Sequence, residues 1–81
     1  MYSAIKAFNA ISKPNLQVKD LQAIHGCSKS TAIGKHKEFK KRCEESGITV
    51  LGIPTDTYIK EMGIDTKRIE KYARKEKKIN D

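Results

Sequence analysis

A mainly α-helical domain is the fold class this sequence predicts. The expected layout is three N-terminal helices, one short strand or minimal β-hairpin, and one or two C-terminal helices. Three observations predict it. Apolar residues recur at helical spacing over most of the chain. Ser, Thr or Asp stands where several of those runs begin, and Gly where they stop. Only Ile48-Thr49-Val50-Leu51 is rich enough in β-branched residues to read as a strand. The 81 residues suffice for one small domain with a thin core.

The elements follow in order. From Tyr2 to Ser12, Ala4, Ala7, Phe8 and Ile11 fall at helical spacing with Ile5 beside them, which predicts a first amphipathic helix. Ser12-Lys13-Pro14-Asn15 ends it, because proline cannot continue a helix and asparagine favours a turn. Leu16-Gln17-Val18 alternates apolar and polar and reads as a brief extended piece. Val18 to His25 predicts a second helix with Val18, Leu21 and Ile24 on one face, closed by Gly26. Ser28 is placed to cap a third and longest helix, Lys29 to Glu45. Along it Ala32, His36, Phe39 and Cys43 fall in one narrow stripe.

Gly47 stops that helix and the strand Ile48 to Leu51 follows. It is expected either to form a wing, for which Gly52-Ile53-Pro54 is short as a return, or instead to pair with Leu16 to Val18 as a sheet corner. Gly52 and Pro54 end it. Thr55 is expected to cap a short helix carrying Tyr58, Ile59 and Met62, which stops at Gly63. Asp65 is expected to cap the last helix, with Ile64 and Ile69 forming a hydrophobic staple. That helix runs through Tyr72 and Ala73 and frays at Arg74-Lys75-Glu76-Lys77-Lys78. Residues 1–66 therefore read as the domain, and residues 67–81 as a basic C-terminal helix or tail.

Charge narrows the class of partner. Seventeen Lys and Arg against ten Asp and Glu give a formal net charge of +7, which attracts polyanions. Nucleic acid is the first candidate and an anionic membrane surface the second. Cys27 and Cys43 are separated by fifteen residues, with no CxxC and no Cys/His quartet. They read as two reduced thiols, and no metal site is expected. No basic start leads into an apolar run, and nothing approaches the length of a membrane span. The expected setting is soluble and cytoplasmic.

The most informative stretch is Val18 to Phe39, VKDLQAIHGCSKSTAIGKHKEF. It reads as a short helix, a tight turn at Gly26-Cys27 and a longer helix with a serine cap. Leu21 and Ile24 would pack the first helix on the second, and Ala32 is small enough for close approach. This is the geometry of a helix-turn-helix. The stretch resembles the helix-turn-helix of small DNA-binding proteins from phages and mobile elements of Gram-positive bacteria, of regulator or excisionase type. With the preceding helix and the strand after Gly47, the resemblance extends to Pro54 and to a winged-helix arrangement. Gln17 stands at the first cap position, and Gln22 and His25 fall where such motifs are usually more apolar. The resemblance implies sequence-specific binding of double-stranded DNA and a role in transcription regulation. An excisionase-like or replication-accessory role stays open beside it.

The candidate DNA-binding residues are Ser28, Lys29, Ser30, Thr31, Ile33, Gly34, Lys35, Lys37 and Lys41. Ser30, Gly34, Lys37 and Lys41 lie opposite the Ala32, Phe39 and Cys43 stripe, with Ile33 at the edge. Residues 29 to 42 hold six basic side chains and one acid, Glu38. Hydroxyls near the start of an exposed helix suit base edges, lysines further along suit phosphates, and Ile33 suits a thymine methyl. Gly34 reads equally as a site of close backbone approach or as a tolerated surface glycine. The seven basic residues and two acids of 67–78 either lie along phosphates or form a solvated helix.

Other classes fit less well. The sequence has no nucleophile–base pair, no acidic pair in an apolar frame and no phosphate loop, so neither an enzyme nor a cofactor is expected. A protein-interaction module stays open, with Tyr58, Met62 and Tyr72 as a dimer or partner face or else as core. A homodimer is compatible with either reading. Three Tyr and two Phe are too few for an RNA-stacking platform.

Overall fold

A computed structural model describes residues 3–80. Among the described residues there are five helices: α1 (Ala4–Ile11), α2 (Val18–His25), α3 (Lys29–Glu45), α4 (Thr55–Met62) and α5 (Thr66–Asn80). The expected start of the first helix at Tyr2 lies outside the described residues. α1 packs against α2 and α5, α2 packs against α3, and α3 packs against α4.

Local chemistry sets most helix ends. The Ser3 hydroxyl caps α1 by accepting from the Lys6 N–H. Gly26 closes α2 at φ 60°, a left-handed conformation that costs a residue without Cβ nothing, and its N–H returns to the Gln22 carbonyl. The Ser28 hydroxyl caps α3 by accepting from the Thr31 N–H at 3.3 Å. Asp65 accepts from the Arg68 N–H at 3.0 Å and caps α5, while Ile64 packs on the cluster that contains Ile69.

The core joins Ala7 and Ala10 of α1, Leu16, Leu21 and Ile24, then Ala32, Phe39 and Cys43 of α3, and Ile53, Tyr58 and Ile69. α1 presents only alanines as fully buried residues, at positions 4, 7 and 10. Small side chains there let two helices approach it closely. Tyr58 ties three helices together. Its ring lies 5.2 Å from that of Phe39, and its hydroxyl is hydrogen-bonded to His25 Nε2. Burial pushes the Tyr58 pKa up to about 12, so the hydroxyl keeps its proton and donates. Burial, with Lys35 adding to it, lowers the His25 pKa, so the ring stays neutral and accepts.

Two elements differ from expectation. Among the described residues there is no strand, and Ile48 to Leu51 is irregular. The bridge forms later in the chain, between Asn15 and Pro54 in antiparallel sense. The Leu16 N–H donates to the Ile53 carbonyl at 2.8 Å and the Thr55 N–H to the Pro14 carbonyl at 3.1 Å. A strand needs a partner for its backbone groups, and these bonds occupy the extended neighbour that Ile48 to Leu51 was expected to use. Left with no ladder, that segment exposes Leu51 to 93%. A minimal β-hairpin or wing is therefore not formed among the described residues.

Thr55 is the second difference. Pro54, not Thr55, stands at the N-cap of α4. Thr55 is buried, and its hydroxyl donates to the Lys13 carbonyl. Beside it the buried Asp20 carboxylate accepts from Lys13 Nζ at 2.8 Å and from the Gln17 N–H at 2.8 Å. Asp20 thus does at the start of α2 what Gln17 was poorly suited to do alone.

The last helix continues to Asn80 instead of fraying after Ala73. Ile69 and Ala73 are buried. The Glu76 carboxylate accepts from the Ile5 N–H at 2.7 Å and from the Ser3 hydroxyl at 3.4 Å. A carboxylate at the N-terminal end of α1 is favoured by the helix dipole.

The Tyr58–His25 contact makes two predictions. Tyr58→Phe leaves the ring packing intact and strands the His25 acceptor, costing about 1 kcal/mol in urea unfolding at neutral pH. The second concerns acid. The unfolded chain protonates histidine near pH 6.5, while folded His25 resists protonation to lower pH. The unfolded state then binds more protons, so stability is fully present above about pH 6.5 and declines as pH falls below it. His36, also lowered by burial, adds in the same direction. Unfolding curves between pH 7.5 and 5.5 should show the midpoint falling, and falling less in His25→Gln.

Candidate nucleic-acid interface

α3 is the element that the core holds outward. Ala32, Phe39 and Cys43 are buried, and each lies on the side of the helix opposite Ser30, Gly34, Lys37 and Lys41. Those four residues are exposed, and Ile33 is 38% exposed beside them. Lys29 and Thr31 flank the first turn and are exposed too. The structure thus places seven of the nine candidate residues on or beside one accessible face.

The other two have additional structural ties. Ser28 is exposed, but its oxygen accepts the Thr31 N–H and its hydroxyl contacts Thr31 Oγ1 at 3.2 Å. It orders the first turn. Lys35 is half-buried, with its ammonium 4.0 Å from Glu38. The Lys35 charge also adds to the burial that lowers the pKa of His25. Ser30 is then the hydroxyl on this turn without a protein partner among the described residues.

Electrostatics sharpens the face. Glu38 binds Arg42 at 3.0 Å and Lys35 at 4.0 Å, and Arg42 also donates to the Glu61 carbonyl at 3.2 Å. The one acid of residues 29 to 42 is therefore absorbed beside the outward stripe. Lys29, Lys37, Lys40 and Lys41 have no acidic group within 4.0 Å among the described residues. Lys40 was not singled out from the sequence. Its exposure and lack of a partner add it to the cationic rim, and its charge helps lower the pKa of His36.

Gly34 sits in open space. A Cβ built on it meets nothing within 4 Å, and its φ is not positive. Neither packing nor backbone conformation in the free protein requires a glycine there. The thiols are not part of the face. Cys27 and Cys43 are both free, and burial raises the Cys43 pKa, which makes that thiol a poor nucleophile. No protein-family model, curated protein or solved structure matches the chain. Among the described residues no helix is long and apolar enough to cross a membrane.

Gly34 makes a prediction that separates folding from binding. Gly34→Ala should stabilise the free protein by about 0.5–1 kcal/mol, because alanine loses less backbone freedom in a helix. A thermal melt checks it. A drop in stability would mean that the glycine is needed by the fold itself.

Proposed function

We propose that this chain binds double-stranded DNA, with α2 and α3 acting as a helix-turn-helix and α3 entering the major groove. The observation that carries this reading is the outward stripe of α3. Ser30, Ile33 and Gly34 lie near its start, and Lys37 and Lys41 follow on the same side. That order suits base edges first and phosphates after. The Lys29 and Ser30 amides lie at the helix N-terminus, where a phosphate is favoured. The sharp turn at Gly26 and the buried Ala32 support the steep, close helix crossing such a motif needs.

The role in this reading is that of a small transcription regulator of the phage or mobile-element type. Among the described residues no wing is formed, since residues 48–51 make no ladder. Discrimination between DNA sequences then rests on α3.

The reading is tested by gel-shift titration at two salt concentrations. Lys37→Glu and Lys41→Glu should weaken binding to every duplex, and neutralising each contact should lower the salt slope by about one. Ser30→Ala and Ile33→Ala should instead change which site is preferred, by about 1–3 kcal/mol at the affected base pair. Unchanged affinity and salt slope in the two charge reversals would remove α3 from the interface.

A further inference from the structure

We infer that α5 is a second duplex-binding face, so that one chain holds two DNA segments; the inference rests on the reading of α3 above. α5 is anchored on its inner side. Ile69 and Ala73 are buried, and Glu76 is turned onto the N-terminus of α1. Its outer side carries Lys67, Lys71, Arg74 and Lys75, all exposed and within one helical stripe. Arg68 and Lys75 stand over the exposed Tyr72 ring, each 5.6 Å from its centroid.

What makes the stripe cationic is the placement of the two acids. Glu70 is bound to Arg74 at 2.6 Å, and Glu76 is spent on α1. Lys67, Arg68, Lys71 and Lys75 are left without an acidic group within 4.0 Å among the described residues. Lys67 and Lys75 lie eight residues apart, so this row spans about 12 Å of helix. One strand of a duplex offers a phosphate every 3.4 Å or so, which matches about three contacts along the row.

Two features favour nucleic acid over a lipid surface. A membrane-binding helix needs a free apolar face, and among the described side chains of α5 the aliphatic Ile69 and Ala73 are buried. The large exposed apolar group left on the described helix is Tyr72, and two cations cover it. α5 rests on α1, and α1 on α2, while α3 rests on α2 and α4. On this inference a duplex on α3 leaves the α5 row for a second segment.

The test is capture of a second duplex. An immobilised random-sequence duplex is loaded with the full chain, and a labelled duplex that cannot hybridise with it is added at low salt. Wild type should retain the labelled duplex. The K67Q/K71Q/K75Q variant should bind the first duplex and retain about tenfold less of the second. K67R/K71R/K75R should behave as wild type, which separates loss of charge from loss of fold. A wild type that binds one duplex through a Lys37- and Lys41-sensitive face, yet retains no second, overturns this inference alone. Duplex binding indifferent to K37E/K41E overturns the reading of α3 instead. Equal bridging by the glutamine variant assigns the bridge to another surface, and pelleting with anionic vesicles without bridging assigns the stripe to a membrane; either outcome overturns the inference.

Discussion

The hydrogen bond between Tyr58 and His25 is the constraint on which the rest of the molecule depends. Among the described residues Tyr58 is the largest fully buried side chain, and a buried hydroxyl without a partner is costly. His25 supplies the acceptor, and it supplies it from the last turn of α2, one residue before Gly26. The same tyrosine ring lies on Phe39 near the middle of α3. One side chain of α4 thereby fixes both the helix that enters the turn and the helix that leaves it. Two polar groups placed in the interior are tolerable because each satisfies the other.

The position of α4 is set in turn by a clasp between two connectors. Residues 14–16 and 53–55 exchange backbone bonds, and the Thr55 hydroxyl and Asp20 carboxylate gather at Lys13. This clasp does the work expected of a sheet corner with a single bridge. It also explains why the β-branched segment before it stays irregular. Strand propensity is a preference for a paired, half-buried surface, and the pairing had been taken up a few residues further on. α1 is held at both ends, by the Glu76 carboxylate at its start and by Lys13 just after its close.

The distribution of acids shapes the molecule's charge. Asp20, Glu38, Asp65, Glu70 and Glu76 each take part in a cap or an ion pair. Half of the ten acidic residues are thus occupied by structural tasks at the places where the chain needs them. The surplus of +7 is left to show on the outer faces of α3 and α5 as rows of lysine. Surface ion pairs add little stability. Their consequence here is that they leave particular lysines uncompensated.

Helices α2 and α3 were legible from the sequence to the residue, because their signals are local. The 3.6-residue apolar period, the Ser28 hydroxyl three residues from the amide it caps, and the left-handed Gly26 all act within one or two turns. The outward stripe of α3 follows from the same period. Other features joined residues far apart in the chain, and only the tertiary structure decided them. Thr55 became a clasp to Lys13 instead of a cap, Glu76 turned from a charged tail onto α1, and the expected strand lost its partner to Ile53 and Thr55. His25 looked out of place in an apolar motif because its partner, Tyr58, lies 33 residues away. Spacing along a helix can be read from neighbours, but which distant group satisfies a buried donor or acceptor is settled only when the chain is packed.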